Sequence, residues 1–155
     1  MPSRRDRIRM SDDEVRAFLA DRRTVACATV GSGGRPHVMP LWYVLEPDGG
    51  TLRAWTYAKS QKARNLEREP RATLEADAGE KYDELHGVML ECDVHVEHDA
   101  ARVEEYGLAI LTRYGAEATA EVREAVRAQA PKRVGLRFTP TRVVSWDHRK
   151  LGGAY

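Results

Sequence analysis

Cysteine is scarce: Cys27 and Cys92 are the only two in 155 residues. Each stands in an apolar, strand-like run. No apolar N-terminal segment of the signal-peptide kind precedes them, so two buried thiols are favoured over a disulfide. Their spacing against the histidines is not that of a zinc site, and no metal is expected. Long apolar runs are missing too, which excludes a membrane-spanning helix. A cytoplasmic protein without membrane contact is expected. Charge of one sign is also lacking. The formal net charge is +1, which argues against a general nucleic-acid binder, so no nucleic-acid partner is expected. There is no P-loop and no Gly-x-Gly-x-x-Gly between a strand and a helix. No nucleophile elbow supports a Ser–His–Asp triad. Repeats and low-complexity segments are absent.

What is present is ordinary for a globular chain: 42% hydrophobic and 32% charged residues. The length suits one domain with a real core. Residues 1–10 are mainly basic and polar. They read as a flexible arm, either frayed or laid on a partner chain, and they leave 11–155 for the domain.

Ser11 and Glu14 match a capping box, and Val15, Phe18 and Leu19 then share one helical face. Residues 24–30 are β-rich, 31–34 are a glycine-rich turn, and 36–45 read as the returning strand. Pro40 cannot donate a ladder hydrogen bond, so that strand is at an edge, bulged or interrupted. Another turn at 48–50 leads to a strand over 51–56. A short helix over 61–69 stops before Pro70, and a strand follows at 72–77. In 87–97, Val88, Leu90, Cys92, Val94 and Val96 alternate with polar residues. Asp99 caps a helix carrying Val103, Tyr106, Ile110 and Leu111. A second helical stretch covers 117–129. Two strands, 134–138 and 142–146, close the chain around a break at Thr139-Pro140-Thr141. Adjacent strands joined by hairpin turns favour antiparallel pairing. The expected fold is mainly β: an antiparallel barrel with helices packed on its outside.

The densest chemistry is "TYAKSQKARNLEREPRA", residues 56–72. Lys59 and Lys62 are two of the five lysines in the chain. With Ser60 and Asn65 they occupy a strand end, a loop and a helix start, where free N–H groups and the helix dipole favour an anion. The pattern alone admits a bound phosphate on Lys59, Ser60 and Lys62. The alternative is a solvated helix face on which Glu67 and Glu69 neutralise Arg64 and Arg68; that reading is preferred for Arg64, Arg68 and Arg71, and the phosphate for Lys59, Ser60 and Lys62. His95 and His98 read as solvated surface, whereas His37, near Pro40, is able to face a site.

Together "RPHVMPLWYVLEPDG", "LRAWTYAKSQKARNLEREPRATL" and "GVMLECDVHV" resemble the split-barrel flavin and deazaflavin oxidoreductases, relatives of pyridoxamine-phosphate oxidase. The most specific part is Lys59-Ser-x-Lys62-x-x-Asn65-Leu66 followed by Pro70-Arg-Ala. The closing "VVSWDHRKLGG" is similar to the branch that uses coenzyme F420, a deazaflavin with an oligoglutamate tail. The arginine-and-lysine phosphate motif of pyridoxamine-phosphate oxidase itself is missing in its usual form, which argues against vitamin B6 oxidation.

The resemblance implies an antiparallel split β-barrel and a homodimer with the cofactor at the subunit interface. It places the cofactor phosphate on Lys59, Ser60 and Lys62, with Thr56 and Tyr57 leading in and Asn65 behind. The ring is implied along Met39, Pro40, Leu41 and Trp42, with Trp146 closing the cleft, from the other subunit if not from its own. Core packing is equally open to Trp42 and Trp146. The implied cofactor is F420, with FMN the alternative, and the implied activity is hydride delivery to a small conjugated acceptor. A non-catalytic F420 carrier is a third reading. No side chain is obliged to act as nucleophile, and the sequence names no catalytic residue.

Overall fold

A computed structural model describes residues 1–153. Helix α1 spans Arg4–Ile8 and α2 spans Asp12–Asp21. They are followed by strands β1 (Val25–Val30), β2 (Pro36–Leu41), β3 (Val44–Leu45) and β4 (Leu52–Tyr57). Helix α3 (Gln61–Arg68) leads to β5 (Arg71–Ala78) and the long β6 (His86–Glu97). Helices α4 (Ala100–Arg113) and α5 (Ala120–Gln129) precede β7 (Arg133–Asp147). The strands form one antiparallel sheet in the order β2-β1-β5-β6-β7-β4-β3, curled into the half-barrel of a split-barrel fold.

Period-two patterning gives the sheet its two faces. Val25, Cys27 and Thr29 of β1 are buried, as are Leu52, Ala54 and Thr56 of β4. Leu74, Leu90, Leu136 and Phe138 continue the same core. Leu19 of α2, Ala63 and Leu66 of α3 and Ile110 of α4 cover it. Cys27 and Cys92 are buried free thiols. Burial pushes Cys27 up to about 11 and Cys92 up to about 12. The capping residues act as their sequence suggests. Ser11 Oγ accepts from the Glu14 N–H while Glu14 accepts from the Ser11 N–H, and Asp99 accepts from the Arg102 N–H.

Three segments differ from expectation. Residues 1–10 are not a plain arm. Ser3 and Asp6 form a capping box that starts α1. Met10 is then buried, with its N–H donating to Ser145 Oγ at 3.0 Å. The expected break at 139–141 is a bulge inside the continuous β7. Cys92 faces Pro140 and Glu91 faces Arg142, so Thr141 is the extra residue. Its hydroxyl donates to the Glu91 carbonyl at 3.1 Å. A bulge absorbs the proline's missing donor without ending the strand.

The strand expected over 36–45 is divided at Trp42-Tyr43. β2 is an edge strand with Pro40 opposite Ala26. The backbone of Tyr43 leaves the ladder for two residues at the end of α4. Its N–H donates to the Tyr114 hydroxyl and its carbonyl accepts from Arg113. The Tyr43 ring is fully buried, with its hydroxyl donating to the Leu19 carbonyl at 2.5 Å. Arg113 also donates to the carbonyls of Leu19, Ala20 and Arg22. One guanidinium thus satisfies the end of α2 and the strand break together.

Candidate functional site

Helix α3 bridges the two ends of the curled sheet. Ser60 is its N-cap and accepts from the Ala63 N–H at 3.2 Å. At the β4 side, Thr56 Oγ1 lies 3.4 Å from Ser60 Oγ and 3.5 Å from Lys62 Nζ. At the β1 side, Asn65 Nδ2 donates to Thr29 Oγ1 at 3.0 Å, and Asn65 Oδ1 accepts from Gln61. The buried face of the helix is Lys62, Ala63, Asn65 and Leu66. A lysine on that face is unusual, because an ammonium is expensive to desolvate.

Lys62 is 8% exposed. Desolvation lowers its pKa from the ordinary value, offset in part by the Cys27 thiol. Among the described residues its polar partner is a hydroxyl, and no carboxylate pairs with it. Thr56, Ser60 and Lys62 therefore form one cluster of donors with an uncompensated positive charge. Lys59 and Tyr57 are exposed beside it. Asn65 is spent on holding α3 to β1, which makes it a positioning residue.

The β2 residues fall elsewhere. Pro40 and Val38 share the outer sheet face with Ala26 and Ala28, their partners across the ladder. Small side chains there leave a groove of about 450 Å³ lined by Met39, Pro40, Ala26 and Ala76, with Arg22, Arg23, Glu75 and Asp77 also on its walls. Burial, with help from Asp77, raises the Glu75 pKa. Met39 stands opposite Cys27 and Leu41 opposite Val25. Leu41 is buried and is not among the residues that line the groove. Trp42 is 49% exposed and stacked on Tyr114, with ring centroids 4.1 Å apart and 4° between planes. Trp146 is not brought to these residues. It lies on β7 over Gly87, and β1, β5 and β6 separate it from β2. Its packing against Gly87 accounts for it within the chain.

The expected charge neutralisation on α3 is partnered differently. Glu69 pairs with Arg71 at 2.6 Å and Glu67 with His98 at 2.7 Å. Arg68 instead donates to the Val30 carbonyl at 2.6 Å, tying α3 to the end of β1. The fold, not sequence proximity, chose these partners. Sequence reading also missed Thr29 and Cys27 as the surroundings of Asn65 and Lys62, and it missed Arg113 and Tyr114 entirely. His37 sits opposite Thr29, and its Nδ1 is buried without a hydrogen-bond partner. Among the described residues, no cluster of His, Cys, Asp or Glu is placed to hold a metal ion, and no helix is long and apolar enough to cross a membrane.

A half-barrel of this topology is a split barrel of the pyridoxamine-phosphate-oxidase-like fold. The chain belongs to the pyridoxamine 5'-phosphate oxidase family, whose model matches residues 11–147. A conserved hypothetical protein from Mycobacterium tuberculosis is 37% identical, covering 99% of this chain and 95% of its own, with a TM-score of 0.89. An F420 reductase shares the fold at 22% identity, covering 81% of this chain and 93% of its own, with a TM-score of 0.64. A heme storage protein from Vibrio cholerae does so at 20% identity, covering 87% and 95%, with a TM-score of 0.67. No curated protein matches the chain.

Proposed function

We propose that this protein is an oxidoreductase that binds a phosphate-bearing flavin-type cofactor, F420 in preference to FMN, and reduces a small conjugated acceptor. The observation that carries the reading is Lys62: a buried ammonium beside two hydroxyls, at a helix start, with no carboxylate to balance it. A phosphate fits that donor set, since it supplies the missing charge and accepts from the ammonium, the hydroxyls and free α3 N–H groups. When bound, the cofactor supplies hydride transfer, and the protein supplies position and electrostatics. Thr56, Ser60 and Lys62 hold the phosphate, with Lys59 and Tyr57 at the entrance. The β2 edge near Met39, Pro40 and Trp42 offers backbone groups outside any ladder to a planar ring.

In one chain the phosphate cluster and the β2 groove lie on different sides of β1. A homodimer that joins a groove of one subunit to the neighbouring subunit would complete the cleft, and it gives Trp146 a place there. Exposed Val30, Val38, Met39, Trp42 and Val143 are the apolar surface such a dimer would cover. The preference for F420 over FMN rests on the likeness to the F420 branch around Trp146. A carrier without turnover is the second reading, favoured by the shared fold of a heme storage protein. The absorbance spectrum of the purified protein, with mass spectrometry of the released ligand, tests the assignment. The assignment is overturned if the apoprotein binds neither a flavin nor a deazaflavin.

A further inference from the structure

Arg133 is a cation held in place without an anion. It opens β7 opposite Tyr57. Its guanidinium carbon lies 4.1 Å from the Tyr57 ring centroid and 4.4 Å from that of Trp55. Gln129, at the end of α5, accepts from its Nε at 3.3 Å and from one terminal nitrogen at 3.0 Å. The group is fixed on both its face and one edge, and among the described residues no carboxylate pairs with it.

Beside it opens a cleft of about 350 Å³, lined by Trp42, Trp55, Ile110, Leu111 and Val126, with Gln129 and Arg133 as its polar members. Both indoles are immobilised. Trp55 packs against the α4 backbone at Gly107, where a Cβ would meet its ring at 2.4 Å. Trp42 is held by its stack on Tyr114, yet remains half exposed.

A concave apolar lining with a few convergent polar groups is the usual form of a small-molecule site. Two fixed indoles favour a flat ring through stacking. A guanidinium already ordered over aromatic rings loses little freedom on pairing with a carboxylate, whose planar geometry it matches. The volume is at the low end for ligand sites, which suits one or two rings. We propose that this cleft binds a planar aromatic or conjugated carboxylate of one or two rings. It borders Tyr57 and includes Trp42, but the proposal does not depend on which cofactor the protein carries.

The probe is 2-naphthoate, with 2-naphthalenemethanol as its uncharged match, followed by tryptophan fluorescence and calorimetry on the full chain. The naphthoate is expected to quench fluorescence and to bind more tightly than the alcohol. Arg133→Gln should weaken naphthoate by about tenfold or more, the scale of a lost charge-assisted hydrogen bond, and leave the alcohol within about twofold. An Arg133 that only staples Tyr57 to Trp55 would shift both probes together, which overturns the carboxylate assignment. Ala125→Trp, at an exposed position of α5 on the cleft wall, should block both probes with the circular dichroism unchanged. That variant decides the location, and the comparison of naphthoate with the alcohol on the unaltered protein decides the carboxylate, even if Arg133→Gln fails to fold. Binding untouched by Ala125→Trp overturns the location. Preloading with FMN or F420 should leave naphthoate affinity unchanged, whereas one-for-one displacement would make the cleft the cofactor's own and overturn a separate site.

Discussion

Lys62 Nζ lies 3.5 Å from Thr56 Oγ1, inside a helix face that is otherwise Ala63, Asn65 and Leu66. A hydroxyl at that distance compensates little of the desolvation cost of an ammonium. The position is therefore poor for stability alone and good for an anion. Replacing Lys62 with methionine removes the charge at similar volume. Lys62→Met is expected to keep or raise the melting temperature of the apoprotein and to weaken cofactor binding by about 1–3 kcal/mol. Arg68→Ala is expected to do the reverse. It removes the bond to the Val30 carbonyl, lowering stability by about 1 kcal/mol, while cofactor affinity stays near wild type. Calorimetric titration and thermal melts separate the two. Equal affinity losses would mean diffuse electrostatics rather than a built phosphate site.

The same lysine sets a pH dependence with a definite sign. Burial holds the folded-state pKa below the ordinary 10.5. In the window between the two values the unfolded chain binds more protons, so stability rises with pH there. The stability that a neutral Lys62 confers is fully present above 10.5 and is lost as pH falls through the folded value. The gap between wild type and Lys62→Met, measured by urea unfolding of the apoprotein, should therefore narrow as pH rises toward 10.5. Cofactor affinity should move the other way and fall as Lys62 loses its proton. A gap independent of pH would show that Lys62 is not the titrating group.

Val38 is 55% exposed on the outer face of an edge strand, next to Ala28. An apolar edge of this kind invites pairing. Sedimentation velocity is expected to show a dimer at micromolar concentration. Val38→Glu is expected to shift it toward monomer and to weaken cofactor binding in parallel, since the cleft is shared. A wild-type monomer with full cofactor affinity would contradict the shared cleft.

Gly107 lies mid-helix in α4, where alanine ordinarily adds about 1 kcal/mol of helix stability. Here an added Cβ would sit 2.4 Å from the Trp55 ring. Overpacking of that kind costs about 1–3 kcal/mol and outweighs the propensity gain. Gly107→Ala should lower the melting temperature, and pairing it with Trp55→Leu should recover most of the loss. A more stable single variant would show that the Trp55 ring is free to move.

Local signals carried much of this fold. The caps at Ser11 and Asp99 and the alternation from Val88 to Val96 are each contained in a few residues, and each stands where its pattern puts it. Pro140 was misread because a proline between threonines looks the same in a turn and in a bulge. What distinguishes them is the register of β6 across the ladder. The break at Tyr43 was only half legible. Pro40 announced an edge, a bulge or an interruption without choosing among them, and the partners that replace the ladder are Arg113 and Tyr114, about 70 residues away. Ser60 and Lys62 were legible as donors because they are close in sequence, whereas Thr56, expected only to lead into the loop, joins them and Lys59 stands exposed beside them. The burial of Lys62 was not legible, since it depends on how α3 docks on β1.

The cofactor assignment is decided by chemistry that differs at one ring position. A deazaflavin has carbon where a flavin has its reactive nitrogen, so it carries hydride and reacts slowly with oxygen. If the protein uses F420, titration should show saturable F420 binding that Lys62→Met weakens. Reduced F420 should then be consumed anaerobically when a conjugated acceptor is supplied, and label at the transferring ring carbon should appear in the product. The rate should follow acceptor concentration, and the same assay in air should leave dissolved oxygen unchanged. A panel of enones, quinones and aromatic acids covers the acceptor class, and the aromatic acids also fit the Arg133 cleft. With an FMN enzyme, the purified protein would instead hold a flavin and show oxygen uptake. Saturable FMN binding with no F420 affinity would overturn the deazaflavin reading while leaving the phosphate role of Lys62 intact, because both cofactors carry a phosphate. F420 binding without turnover on any acceptor would favour the carrier. In that case Lys62→Met should abolish retention of the cofactor during dialysis, which a catalytic assay alone would not reveal.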